Sequence, residues 1–392
     1  MHFIINYISK SRRILLYSGA CIFLSLILTL IARSFPGFSQ WYGEAVFPVF
    51  VNTVGRIFAL LPFSAFELMI CATFLGLLLF VVWTIYVLLK RTSSIKNYLG
   101  ITFRRGICIL ASLLLIFTLT ASINYSKPPI SAGSDTSVRE YSLGELLGLS
   151  LLLVDEIIEL SDSVAFDEQG LLQLEEVDLG TTAAEAMRSL KERYPALSGY
   201  YPAPKPIIFS NVMSYLGLTG IFSPFTLEAN YNRDVASFLI PYTICHEFAH
   251  LKGFMKEDEA GFLAYLACKN SESAEFRYSG TLNALLYTLN QLYRNADSNL
   301  YNAVYSSIPE TVRAELAYSR NYWKDHSGVV TSIAKTANDK YLMINAQTEG
   351  TKSYGRMVDL LLKEYDHRIL VEYGDRISEV LLDNMNPPTL DL

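Results

Sequence analysis

Two histidines four residues apart, His246 and His250, stand with Glu247 in the run Pro241-Tyr-Thr-Ile-Cys-His-Glu-Phe-Ala-His-Leu-Lys-Gly253. On a helix that spacing puts both imidazoles on one face, within reach of a single metal ion. A glutamate beside the first histidine can serve as base toward a water that the metal polarises. The helix that must carry them has readable ends. Pro241 suits the first turn, where a missing N–H costs nothing, and Gly253 suits the left-handed position after the last turn. Ile244, Phe248 and Leu251 form the apolar stripe that packs into a core, and His246, Glu247 and His250 project from a neighbouring face.

A catalytic zinc needs a third protein ligand and an open position. The segment after the motif, Lys256-Glu-Asp-Glu-Ala-Gly261, offers Glu257 and Glu259 at the start of a second helix, with Asp258 shorter and facing elsewhere. Acids there also complement the helix dipole without binding anything. An oxyanion helper is expected as well. His326 in Trp323-Lys-Asp-His-Ser-Gly328, and Tyr354 and Arg356 in the block Ser353–Asp359, are the candidates. An arginine at a helix start is unfavourable for the dipole, which favours a carboxylate partner for Arg356.

The elements that hold these residues are mostly helical. Apolar spacing predicts helices over 141–162, 182–194, 241–252, 257–269, 276–295, 309–324 and 354–371. Between 200 and 241 the texture changes, and Pro206–Ser210 and Phe225–Asn230 read as strands. Thr226–Asn230 is a candidate edge along which a peptide substrate aligns.

Ahead of this domain the chain is very apolar. It has 392 residues, 51% hydrophobic and 18% charged, and residues 14–32, 66–89 and 106–123 are almost free of charge. Each is near the roughly 20 residues that a helix needs to cross a bilayer. A fourth stretch, 45–63, is interrupted by Pro48, Asn52, Arg56 and Pro62 and reads as an interfacial or re-entrant helix. The first span reads as a signal anchor rather than a cleaved signal peptide. Lys10, Arg12 and Arg13 precede it, and Lys90, Arg91, Lys96, Arg104 and Arg105 fill the loop between spans two and three. The positive-inside rule then predicts a multi-pass plasma-membrane protein with a cytoplasmic N-terminus and an extracytoplasmic domain over 124–392. That domain holds 36 of the 38 acids against 22 of the 32 lysines and arginines, a formal charge of −14. Such a surface argues against a nucleic-acid or anionic-lipid surface as the main partner. Its two cysteines, Cys245 and Cys268, are expected to fill core positions rather than to build a disulfide framework.

The stretch Glu257-Asp-Glu-Ala-Gly261 resembles the Glu-x-x-Ala-Asp setting of gluzincin metallopeptidases, with Glu257 at the ligand place and Glu259 in reserve. Gly261 departs from that pattern, since the residue that would orient a ligand histidine is missing. The layout as a whole resembles the domain of unknown function 3810 family of bacteria, three-span proteins with an HExxH domain, through Phe225–Asn230, Ile240–Cys268 and Lys340–Leu361. The resemblance implies a mainly α protein: a membrane domain over 1–123, then a zincin-like α+β metallopeptidase domain with a small sheet. It also implies Zn2+ as cofactor and a peptide or protein as substrate. The alternatives are a non-catalytic membrane protein with a structural metal site, acting as a sensor or envelope assembly factor, and a zinc amidase acting on cell-wall material.

Overall fold

The computed structural model describes residues 2–90, 95–130, 141–345 and 356–385. The chain forms two units, one made of Met1–Pro128 with Ser223–Glu228, the other of Pro129–Phe222 with Ala229–Leu392. The boundary therefore falls a few residues beyond the expected 123/124, and the first unit takes back a six-residue segment from much later in the sequence.

In the first unit the long helices are α1 (His2–Ser34), α2 (Ala65–Lys90) and α3 (Ile95–Phe117). Among the described residues, three stretches are long and apolar enough to cross a membrane: Arg12–Ser34, Ala65–Lys90 and Tyr98–Tyr125. Residues 36–59 form a run of short α-helical pieces with two π-helical segments, Tyr42–Val46 and Val51–Gly55. The borrowed segment has a definite job. Ser223 accepts the Leu227 N–H at 2.8 Å in a turn that puts the buried Leu227 at φ 54°, a backbone region costly for leucine. Glu228, next along, accepts the N–H groups of Ala65 at 3.1 Å and Phe66 at 2.9 Å. A carboxylate thus satisfies orphan donors at the positive end of an apolar helix.

The second unit comprises α4 (Leu143–Ser161), α5 (Leu179–Ser189), α6 (Ser210–Leu216), α7 (Leu239–Leu251), α8 (Glu257–Lys269), α9 (Ala274–Asn295), α10 (Ser298–Ser306), α11 (Glu310–Asp325), α12 (Val329–Ile344) and α13 (Arg356–Met385). Its core is the mutual packing of α7, α8 and α9, with α5 laid on α7 and α8, and α4 between α9 and α13. The strands β1 (Lys205–Pro206), β2 (Gly220–Ser223) and β3 (Glu228–Tyr231) form a small sheet in the order β1-β3-β2, with β1 parallel to β3.

Some helices begin where a side chain holds the first turn. A capping box of Ser142 and Glu145 starts α4, and Asp178 accepts the Thr181 N–H at 3.0 Å to start α5 three residues before the expected Thr182. Two expected strands are shorter than their apolar runs. After Pro206 the chain enters α6, and residues 225–227 belong to the turn that precedes β3. The helices α10 and α12 were not legible from periodicity, although Asp297, which accepts the N–H groups of Asn299 and Leu300, marks the start of α10. Cys245 and Cys268 are free and fully buried, their sulfurs 3.8 Å apart between α7 and α8.

Candidate metal centre

The metal helix is pinned at both ends by the residues around it. At its start, buried Ser279 of α9 accepts the Tyr242 N–H at 3.0 Å and donates to the Phe238 carbonyl at 2.5 Å. At its end the Phe254 N–H reaches the Ala249 carbonyl and the Gly253 N–H reaches that of His250, with Gly253 at φ 82°. This paired closure needs a left-handed residue, which glycine supplies without strain. The turn also swings the Phe254 carbonyl over the ring of His250, which meets it through Nδ1 at 2.8 Å. An N–H on Nδ1 leaves Nε2 with its lone pair free for a ligand role.

The short link to α8 then brings Glu257, the first residue of that helix, back over both imidazoles. Its Oε2 lies 3.1 Å from His246 Nε2 and 3.7 Å from His250 Nε2. Among the described residues, these three side chains form a cluster whose ligand atoms all lie within 4.8 Å of one another. Ligands held about 2.05 Å from a tetrahedral zinc sit about 3.3 Å apart, a value these two distances bracket. The side chains of His246 and Glu257 are 12% exposed and that of His250 is 10%, so the site is nearly closed yet open to a small molecule.

Glu247 completes the site from below. It is buried, and the nearby Phe222 N–H of β2 favours its charged form. Its Oε2 is buried without a hydrogen-bond partner. A buried carboxylate oxygen left unpaired is costly, so this atom calls for a donor that the protein itself does not supply. Burial pushes the Glu247 pKa up, against the pull of the two imidazoles. For His250, burial works toward the neutral ring, but the Glu257 carboxylate outweighs it and the pKa is pushed up to about 9. Burial also opposes ionisation of Glu257, yet the two imidazoles hold its carboxyl well below the usual carboxylate range. The donor set of two imidazoles and a carboxylate suits zinc.

The structure brings together His246, Glu247, His250 and Glu257. It does not bring in Glu259, whose Oε1 accepts the Ile130 N–H and the Lys256 ammonium, both at 3.2 Å, so its first-turn position points it away from the imidazoles. His326 lies at the end of α11, its ring against Tyr215 and Tyr322, with Nδ1 on the Tyr322 carbonyl at 2.8 Å and Nε2 3.3 Å from the Asn211 amide. These partners hold it away from the cluster. Arg356 is exposed at the start of α13, and its charge acts on the Asp258 carboxylate. Tyr354 lies outside the described residues. Thr226–Asn230 is not a sheet edge, because β3 is the central strand and β2 stands at the margin.

Three contributors were not foreseen. Gly220 sits so close above the helix that a Cβ there would lie 2.5 Å from Glu247 Oε1 and from Thr243 Cγ2. Phe222 brings its backbone N–H near Glu247, where it favours the charged carboxylate. Tyr242 donates to the Gly261 carbonyl at 3.2 Å, and a Cβ on Gly261 would lie 2.9 Å from that hydroxyl. The space beside Gly261 is therefore filled by a tyrosine hydroxyl, and the Phe254 carbonyl orients His250. Only the Gly253 turn advertised any of this in the sequence.

Among the described residues, fold and site define a mainly helical protein with three membrane-length apolar helices and a largely buried His-His-Glu cluster beside a second glutamate with one unpaired oxygen. The chain belongs to the DUF3810 family of proteins of unknown function, whose model matches residues 42–362. No curated protein matches it, and no solved structure does.

Proposed function

We propose that this protein is a membrane-anchored zinc-dependent peptidase whose site faces the outside of the plasma membrane. The observation that carries the reading is the orphan Oε2 of Glu247, buried next to three converging ligand atoms. A plain buried His–Glu ion pair has no use for a second unpaired carboxylate, which costs about 1–3 kcal/mol to bury. A zinc ion held by His246, His250 and Glu257 supplies a Lewis acid toward water and toward a carbonyl oxygen.

The remaining steps belong to the chain's own groups. Glu247 takes a proton from the attacking water and passes it to the leaving amine. Its raised pKa suits both halves of that exchange. The Phe254 carbonyl keeps the proton of His250 on Nδ1 throughout. β2, an edge strand lying against the metal helix, offers backbone groups along which an extended peptide can align. The balance of basic residues around the three spans supports the cytoplasmic N-terminus and the outward site.

The test combines two measurements on full-length protein. Elemental analysis is expected to find one zinc per chain in wild type and in Glu247→Gln. Profiling of new protein termini in membranes is expected to find cleavages that wild type restores and Glu247→Gln does not. Absence of stoichiometric zinc, or undiminished cleavage by Glu247→Gln, overturns the proposal.

A further inference from the structure

The second unit carries an apolar face that the metal centre does not use. On α6, Val212, Tyr215 and Leu216 share one side of the helix, and they are 56%, 46% and 36% exposed. The first turn of α12 continues the face with Val329, Val330 and Ile333, at 77%, 54% and 65%. The two helices pack together, and Thr331 Oγ1 donates to the Tyr215 carbonyl at 2.8 Å, so the six residues form one surface. Contiguous apolar patches of this kind mark places where something docks.

The charge pattern says what docks. The run 207–222 contains no charged residue, and neither does 328–334, in a domain whose formal charge is −14. An acidic surface is held off an anionic lipid leaflet, so an uncharged apolar face is the part able to approach one. Connectivity points the same way. Leu216 precedes Ser223, the first residue of the segment built into the first unit, by seven residues, about 25 Å at full extension. In that segment Glu228 holds the first-turn N–H groups of α2, one of the helices long enough to cross a membrane.

We infer that the α6–α12 face is a lipid-docking surface that inserts its aliphatic side chains into the interfacial layer of the bilayer in which the chain is anchored. Tyr215, apolar in its ring and polar at its tip, suits the headgroup level. This inference does not depend on the metal centre.

Photo-crosslinking tests it. The amino acid p-benzoylphenylalanine is placed at Val212, at Ile333 and, as a control, at Tyr293, which is 71% exposed on α9. The full-length chain is reconstituted in vesicles of phosphatidylethanolamine and phosphatidylglycerol, irradiated and weighed by intact mass spectrometry. The expected result is a phospholipid adduct at Val212 and Ile333 and none at Tyr293, with the Ile333 adduct lost when Val212→Asp is added. A dimer of the chain, a cross-link within it, no adduct at either site, or equal labelling at Tyr293 would each overturn the inference. A cross-link to another protein in native membranes, in place of lipid, would do the same.

Discussion

Replacing Gly220 by alanine tests how β2 holds the base. A Cβ at that position lies 2.5 Å from Glu247 Oε1 and 2.5 Å from Thr243 Cγ2, whereas ordinary contact begins at 3.4 Å. Strand or glutamate must therefore give by about 1 Å, and overpacking of this kind costs about 1–3 kcal/mol. For a domain of this size each kcal/mol lowers the melting temperature by about 2–4 °C, so a fall of about 2–12 °C is expected. The same displacement moves a catalytic group by a distance that costs about 100-fold in rate. The control is Gly328→Ala, where an added Cβ meets nothing within 4 Å. The assay is thermal unfolding in detergent alongside zinc content and cleavage rate. Gly220→Ala is expected to melt lower and cleave slowly while keeping its zinc, with Gly328→Ala like the wild type. If Gly220→Ala melts and cleaves like the wild type, β2 does not lie on Glu247 and the reasoning fails.

The two acids of the α8 start are expected to separate. Glu257→Gln lowers zinc affinity in chelator competition by more than about 100-fold, because even groups that merely orient ligands are worth about 10–100-fold. Glu259→Gln keeps its zinc and loses about 1–3 kcal/mol of stability in the same melts, since it disturbs a buried acceptor of the Ile130 N–H and Lys256. Glu247→Gln slows cleavage by about 10²–10⁴-fold at unchanged zinc content. Away from the site, Glu315 is fully buried, accepts the Leu172 N–H and the Tyr278 hydroxyl, and has its pKa pushed up to about 7, chiefly by burial. Its folded form therefore binds a proton more tightly than the unfolded form. That contribution is complete below pH about 4.5 and lost as pH rises through about 7. Relative to wild type, Glu315→Gln is expected to gain up to about 3 kcal/mol between those limits in denaturant titrations. A difference that does not change with pH would contradict this.

The sequence by itself determined what depends on near neighbours. Three runs almost free of charge define the long apolar helices, because crossing a bilayer requires length and composition alone. The His246–His250 pair, the helix that carries it and the Gly253 turn were legible because a helix has a fixed period and a left-handed residue favours glycine. The approach of Glu257 follows from the same stretch, since all three ligands lie within twelve residues.

Tertiary structure decided the rest, through contacts between residues far apart in the chain. Glu257 and Glu259 are both candidates on paper, and Ile130, some 130 residues earlier, claims the second. β2 is too short to show a period, yet it brings Gly220 and Phe222 onto Glu247. His326 resembles a catalytic helper only until Tyr322 and Asn211 are seen on its ring nitrogens. Glu228 reads as an ordinary strand residue, and its place at the start of α2 joins residues more than 160 positions apart. Local pattern says which groups a segment can present. Which of them a buried donor or a neighbouring charge takes up is settled only when distant segments pack, because hydrogen bonding and desolvation act over a few ångströms of space irrespective of sequence separation.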